Sequence, residues 1–340
     1  MPRDLDEDDV RIRPGRGSRP RTRQRPGYAD AVRGVVTAID RGRFAVQLEN
    51  APPGAASVTA MKARELGRRS LAVGDRVGMV GDASGATGTL ARIVRVEPRR
   101  TVLRRTPDDA DPIERPIVAN ADQLLVVTAL ADPPPRTGLI DRCLVAAYDA
   151  GIAPLLCLTK ADLAGPERLL ARYRGLDLPV VITRRAEAGL DTAAVELVRN
   201  RLHGSVTVLV GHSGVGKSTL VNALIPAAVR ETGAVNAVTG RGRHTTSAAI
   251  ALPLEGGGWV IDTPGVRAFG LGHVSTDRVL AAFPDLAPGA ERCPRDCRHL
   301  NGDCALDDWV ATTATPPERL ASLRLLLRAR TDPDSAEVRQ

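Results

Sequence analysis

Thr159-Lys160-Ala161-Asp162 follows the apolar run Pro154-Leu155-Leu156-Cys157-Leu158. Only later does the chain reach Gly211, His212, Ser213, Gly214, Val215, Gly216, Lys217 and Ser218, a full match to G-x-x-x-x-G-K-[ST]. In a guanine-nucleotide switch of ordinary connectivity the phosphate loop comes first and the T-K-x-D type of tetrapeptide comes near the end. Both motifs must end strands of one sheet, so the inverted order describes a switch domain whose chain has been cut and rejoined, a circular permutation.

The surrounding pattern supplies that sheet. Apolar runs at 122–130, 154–159, 178–182 and 205–210 alternate with helical stretches that begin near Leu139, Pro166 and Asp191. Such alternation predicts a parallel sheet with helices on both faces. In the loop 211–218 the glycines let backbone N–H groups converge on a triphosphate without Cβ clashes. Lys217 reaches the β- and γ-phosphates, Ser218 ligates Mg²⁺, and Thr219 follows in a helix whose positive end faces the phosphates. Asp162 accepts from guanine N1–H and the exocyclic amine, which adenine cannot match. The stem of Lys160 covers the base, and Thr159 holds the loop.

Val260-Ile261-Asp262-Thr263-Pro264-Gly265 completes the set. Asp262 holds Mg²⁺ through water, and the Gly265 N–H meets the γ-phosphate and senses its loss. Between the two motifs lies Gly240-Arg-Gly-Arg-His-Thr-Thr246, the expected first switch, in which Thr245 or Thr246 completes the Mg²⁺ shell. Val266 stands where small GTPases carry a water-orienting glutamine, so unaided hydrolysis is expected to be slow. His244 is the internal candidate for positioning water; a loop histidine without a role is the alternative.

Outside this unit the composition changes. From Arg11 to Arg25 there are seven arginines and no acidic residues, so residues 1–30 read as a disordered tail, either merely solvated or lying on nucleic-acid phosphates. Residues 31–105 read as an all-β unit of five short strands, an OB-fold barrel as the leading expectation. It holds a single aromatic, Phe44, so RNA binding would rest on backbone contacts from Arg33, Arg41, Arg43, Lys62, Arg64, Arg68 and Arg69, unless the charged face is only solvated. The switch unit spans 113–275. Residues 280–330 contain Cys293, Cys297, His299 and Cys304, spaced Cys-x3-Cys-x-His-x4-Cys, and end in an amphipathic helix over 316–328. Three thiolates and an imidazole are a closed tetrahedral zinc set and hence a structural one; a redox thiol pair or a metal-free cluster are the alternatives. Cys143 and Cys157 lie in apolar segments and read as inert core residues.

The net charge of +7 favours a polyanionic partner. No apolar run reaches the roughly eighteen residues of a membrane span. No signal core opens the sequence, so a cytoplasmic address is expected. With no coiled-coil pattern, a monomer is expected.

Several stretches together resemble the bacterial ribosome small subunit-dependent GTPase A family. They are Val73-Gly-Asp-Arg-Val77, Asp141-Arg142, T-K-A-D ahead of G-H-S-G-V-G-K-S-T, G-R-H-T-T, D-T-P-G-V-R-A-F-G-L and the cysteine cluster. The resemblance runs from about residue 31 to 325. It implies a multidomain chain: an N-terminal OB-fold, a circularly permuted GTPase domain and a C-terminal zinc domain. It also implies action late in assembly of the 30S subunit, contact with 16S rRNA, and GTP hydrolysis to GDP that the subunit accelerates. Zinc ligation carries over to Cys293, Cys297, His299 and Cys304, and nucleotide contacts to Thr159, Lys160, Asp162 and the 211–218 loop. Family members often carry Asn at the position of Thr159 and Ser-Ala-Lys at Thr183-Arg184-Arg185. Two other readings stay open, an RNA-binding module that uses GTP only as a structural ligand and an adenine-nucleotide enzyme.

Overall fold

The computed structural model describes residues 28–51, 55–67, 70–105, 115–187, 189–226, 249–263, 274–300 and 304–331. The arginine-rich stretch before residue 28, and Arg68 and Arg69, lie outside them.

Alternating apolar residues with a tight turn at Arg41-Gly42, both at positive φ, give the first hairpin, β1 (Val32–Asp40) and β2 (Arg43–Leu48). β3 (Val58–Lys62), β4 (Arg76–Gly81) and β5 (Ala91–Val96) complete a ring in the order β1-β2-β3-β5-β4, closed by the pairing of β4 with β1. Only β3 and β5 run parallel. This is the five-stranded OB-type barrel. Its interior is filled by Val36, Phe44, Val46, Val58, Ala60, Met79 and Ile93. Closure removes the free edges that a small sheet would expose.

The strand expected from Val73 starts at Arg76 instead. Gly74, at φ +89, packs its Cα against the Ala119 carbonyl, where a Cβ would sit 2.0 Å from the oxygen. Asp75 is fully buried; it accepts from the Ala72 N–H at 2.8 Å and from Arg99 through both carboxylate oxygens at 2.7 and 2.8 Å. Val73 makes an isolated bridge to Val118, and the Asn120 side-chain amide donates to the Gly74 carbonyl at 2.9 Å. These contacts fasten the base of the barrel to the segment that enters the switch domain. β6 (Val102–Arg105) lies outside the ring and pairs with β7 (Arg115–Ala119).

The second sheet holds five parallel strands in the order β10-β9-β8-β13-β15: β8 (Gln123–Ala129), β9 (Ala153–Thr159), β10 (Val180–Ile182), β13 (Val206–Val210) and β15 (Trp259–Asp262). β14 (Ile250–Pro253) adds an antiparallel strand beside β15 and touches the barrel at Ala38, opposite Ile250. β11 (Arg185–Ala186) and β12 (Gly189–Leu190) form a small hairpin. The helices are α1 (Thr137–Ala150), α2 (Glu167–Tyr173), α3 (Thr192–Leu202) and α4 (Lys217–Leu224). Gly151 ends α1 in the left-handed conformation, and the Asp191 carboxylate caps α3 by accepting from the Ala194 N–H at 3.2 Å.

β8 shows why its run is apolar throughout. Leu124 and Val126 face a core with Ile140 and Leu144 of α1, whereas Leu125 and Val127 face one with Val198 of α3 and Leu220 of α4. From the middle of the sheet the chain steps outward in both directions, through β8, β9 and β10 on one side and β13 and β15 on the other. A crevice therefore opens at the carboxyl ends of β8 and β13, where open α/β sheets bind ligands.

The C-terminal unit consists of α5 (Thr276–Leu280), α6 (Ala287–Ala290), α7 (Ala305–Thr312) and α8 (Pro317–Thr331). The helix expected over 316–328 is α8. Phe283, Leu286, Leu306, Leu320, Leu323 and Leu326 belong to the same core as Ile140 and Leu144 of α1. Each such buried side chain contributes about 1.5–3 kcal/mol of transfer free energy. Arg319 reinforces the contact, donating to both oxygens of Asp285 (2.6 and 2.9 Å) and to the Gly175 carbonyl (2.6 Å). No described helix is long and apolar enough to cross a membrane.

Candidate functional site

The phosphate loop leaves β13 at Val210 and enters α4 at Lys217. A Cβ on Gly211 would lie 2.3 Å from the Val127 carbonyl, so only glycine lets the loop cross β8 so closely. Gly216 precedes α4 at φ +93, a left-handed turn that swings the helix N-terminus toward the crevice. Val215 is fully buried and pins the loop to the core shared with Leu220. Lys217 Nζ folds back over the loop and donates to the Gly211 carbonyl at 2.8 Å. Ser213, Gly214, Ser218 and Thr219 are exposed at the mouth.

His212 Nδ1 lies 2.9 Å from the Ser213 carbonyl, which can only accept, so Nδ1 carries the proton. Its Nε2 is buried without a partner. Burial lowers the pKa of the ring, and the positive charges of Arg136 and Lys217 lower it further, so the imidazole is neutral near pH 7.

The base motif ends β9 beside this loop. Thr159 Oγ1 donates to the Val215 carbonyl at 2.6 Å and has the Thr128 carbonyl at 3.3 Å. Lys160 adopts φ +58, and its ammonium donates to the Asp132 carbonyl in the loop after β8. Asp162 is exposed, with Oδ1 accepting from the Arg185 N–H at 2.8 Å. That bond, with the charges of Arg185 and Lys160, holds its carboxyl below the ordinary range, so it is ionised and able to accept from a base. Arg184 Nε donates to Asp191 Oδ2, and the Asp191 N–H to the Arg184 carbonyl, each at 3.0 Å. These bonds close the β11–β12 hairpin under Asp162. Two-residue strands carry no periodic signal, so the hairpin was not legible beforehand; nor was the role of Asp132.

Asp262 ends β15 opposite Leu209. Its Oδ1 is buried without a hydrogen-bond partner. Burial raises its pKa, opposed by the nearby Lys217 charge and the Thr263 N–H. Thr263 Oγ1 fixes the strand end by donating to the Leu209 carbonyl at 2.7 Å. A desolvated carboxylate oxygen beside a phosphate loop fits a hydrated Mg²⁺, which takes oxygen ligands and keeps its waters. The structure thus brings together the 159–162 motif, the 211–218 loop and Asp262. His244, Thr245, Thr246, Gly265 and Val266 lie outside the described residues.

At the far end, one ligand atom from each of Cys293, Cys297, His299 and Cys304 lies within 4.8 Å of the others. Cys304 Sγ is 3.5 Å from Cys293 Sγ and 3.7 Å from Cys297 Sγ, and His299 Nδ1 is 3.4 Å from Cys304 Sγ. Sulfurs on one tetrahedral zinc sit about 3.8 Å apart, so the spacing fits a metal ion. Burial, together with bonds from Cys293 and Cys297, pushes the Cys304 thiol up to about 12. Arg324 of α8 braces the cluster, donating to the His299 carbonyl at 3.0 Å and to both Asp307 oxygens at 2.6 and 2.8 Å. Cys143 and Cys157 are fully buried, and burial raises both thiols, Cys157 to about 12.

On the barrel, Phe44 is buried and offers no stacking face, while Arg33, Arg41, Arg43 and Arg64 are exposed.

Residues 96–272 match the RsgA GTPase family. A small ribosomal subunit biogenesis GTPase RsgA from Pseudomonas aeruginosa is 42% identical over 250 residues, covering 71% of this chain and 72% of the relative. One from Azotobacter vinelandii is 40% identical over 274 residues, covering 78% and 76%. YjeQ from Thermotoga maritima superposes with a TM-score of 0.64 at 24% identity, over 88% of this chain and 98% of the other. YloQ, described as a circularly permuted GTPase, gives 0.63 at 21% identity, over 91% and 98%. At those identities the two structures speak for the fold, and they agree with the inverted motif order. With a family match over more than half its length and two-fifths identity to these relatives, the chain belongs to the RsgA GTPase family and is a GTP-hydrolysing enzyme.

Proposed function

We propose that this GTPase acts on the small (30S) ribosomal subunit late in its maturation, hydrolysing GTP to GDP and phosphate faster when bound to it. The observation that carries the enzymatic part is the convergence of the base motif, the phosphate loop and the unpartnered Asp262 carboxylate at one crevice. The ribosomal part rests on the names of the relatives.

In this reading Asp162 selects guanine, Lys160 covers it, and residues Gly211 to Thr219 cradle the phosphates with Lys217 on the β- and γ-oxygens. Mg²⁺, held by Ser218 and Asp262, neutralises charge on the phosphates. Asp262 keeps its carboxylate oxygen desolvated and ready, and Thr263 keeps the strand end from moving. Thr245 or Thr246, His244 and Gly265 are assigned the switch and water-positioning roles. Because Val266 cannot orient water, the subunit supplies or orders what is missing. The four residues of the C-terminal cluster hold one structural zinc. Arginines on the barrel grip 16S rRNA through its backbone. The unit boundaries proposed are 31–105, 113–275 and 280–330, in a monomeric, cytoplasmic protein.

GTP turnover measured with and without purified 30S subunits tests the proposal. Strong stimulation is expected, and GDP production that Lys217→Ala abolishes. Equal rates with and without subunits would remove the ribosomal role. Turnover indifferent to Lys217→Ala would leave GTP a structural ligand.

A further inference from the structure

The base-reading corner can be inventoried donor by donor. Guanine presents donors at N1 and the 2-amino group, and acceptors at O6 and N7. Asp162, an acceptor, serves the first edge. The polar hydrogens around it already have protein partners. The Arg185 N–H is used by Asp162 itself at 2.8 Å, the Ala161 N–H by the Thr183 carbonyl at 3.2 Å, and the Lys160 ammonium is anchored on the Asp132 carbonyl. Thr159 is the decisive case. It is 4% exposed, and a hydroxyl has one hydrogen. Two carbonyls face that hydrogen, Val215 at 2.6 Å and Thr128 at 3.3 Å, and the shorter contact takes it. What remains on Oγ1 is lone pairs, which repel another acceptor. An asparagine here would have two N–H hydrogens, one for the Val215 carbonyl and one for the purine.

We propose that this site is blind to purine N7: Thr159 straps the base loop to the phosphate loop with its only hydrogen, and guanine is selected from its N1–H and amino edge. The inference rests on Asp162 reading guanine. Its physical consequence concerns nucleotides with carbon in place of N7. Where a protein donor meets N7, that replacement leaves the donor unpaired and costs about tenfold or more in affinity. Where no donor is available, the replacement is close to neutral.

The experiment uses the full chain, free of nucleotide, with a fluorescent GDP displaced by GDP, 7-deaza-GDP or ADP. 7-deaza-GDP is expected to bind within about twofold of GDP, and ADP at least about a hundredfold more weakly. Thr159→Asn is expected to create a preference for GDP over 7-deaza-GDP of about three- to tenfold. Thr159→Val should weaken both nucleotides equally, leaving their ratio near one. A wild-type protein that binds 7-deaza-GDP about tenfold more weakly than GDP overturns the proposal, as does a Thr159→Asn protein whose ratio stays at one. ADP displacing as well as GDP would instead sink the guanine reading, a result the GDP to 7-deaza-GDP ratio does not mimic.

Discussion

The Tyr173 hydroxyl donates to Asp141 Oδ1 at 2.7 Å, joining α2 to α1 inside the core, with Arg172 on the other oxygen at 3.2 Å. Burial raises the Asp141 carboxyl from 3.8 to about 6, more than Tyr173 and Arg172 offset. The folded protein therefore binds this proton more tightly than the unfolded chain does. The associated stability is fully present below about pH 4 and is lost as pH rises through about 6, a contribution on the order of 3 kcal/mol. Urea denaturation between pH 4 and 7 should show wild type losing stability relative to Asp141→Asn over that window. Parallel curves for the two proteins would contradict it.

Asp262→Asn should separate stability from activity. The substitution removes a half-buried charge whose Oδ1 has no hydrogen-bond partner, so thermal stability without nucleotide should hold or rise by about 1–2 °C. GTP turnover should fall about a hundredfold or more, because the Mg²⁺ ligand is gone. Calorimetry and a phosphate-release assay read the two effects.

The cysteine cluster should hold one zinc per chain, measurable by elemental analysis. Cys297→Ser should lose it and lower the melting temperature by more than about 5 °C, since Arg324 then braces a site with no centre. GDP affinity should stay within about twofold, because the nucleotide crevice shares no ligand with the cluster. A metal-free wild-type protein of full stability would refute the assignment.

Arg319→Ala should destabilise the protein by about 2–3 kcal/mol in urea titrations. It removes three hydrogen bonds to Asp285 and Gly175 and a guanidinium stacked 4.7 Å from the Phe283 ring centre. It also leaves Asp285 without the partner that lowers its pKa. A loss under about 0.5 kcal/mol would show that the helix is held by its leucines alone.

What the sequence made legible was local. The turn at Arg41-Gly42, the cap at Asp191, the stop at Gly151 and the loop 211–218 each carry their own residue chemistry, and each lies where that chemistry puts it. The parallel sheet followed from apolar runs long enough to be buried on both faces. What stayed hidden was relational. Val73 looks like the start of a strand until Ala119 is known to lie against Gly74. The short helices at 276–280, 287–290 and 305–312 have too few turns to show a period. Nothing near Leu323 or Leu326 announces that their neighbours are Ile140 and Leu144. In the site, the residue types of Thr159 and Asp262 were readable, but the Val215 carbonyl and the unpartnered Oδ1 belong to the folded state.

The meeting of Ala38 with Ile250 bears on where this chain can be cut. The barrel wall shields the outer side of β14, and β14 in turn is what stands between β15 and solvent. A truncation that begins after the barrel would uncover that strand and give the enzyme a raw sheet edge, an invitation to pair with another copy. The barrel is thus a stopper for the catalytic sheet as well as an arm for a partner, and a stand-alone GTPase fragment would need a substitute for it, such as a charged residue at Ile250, to remain dispersed.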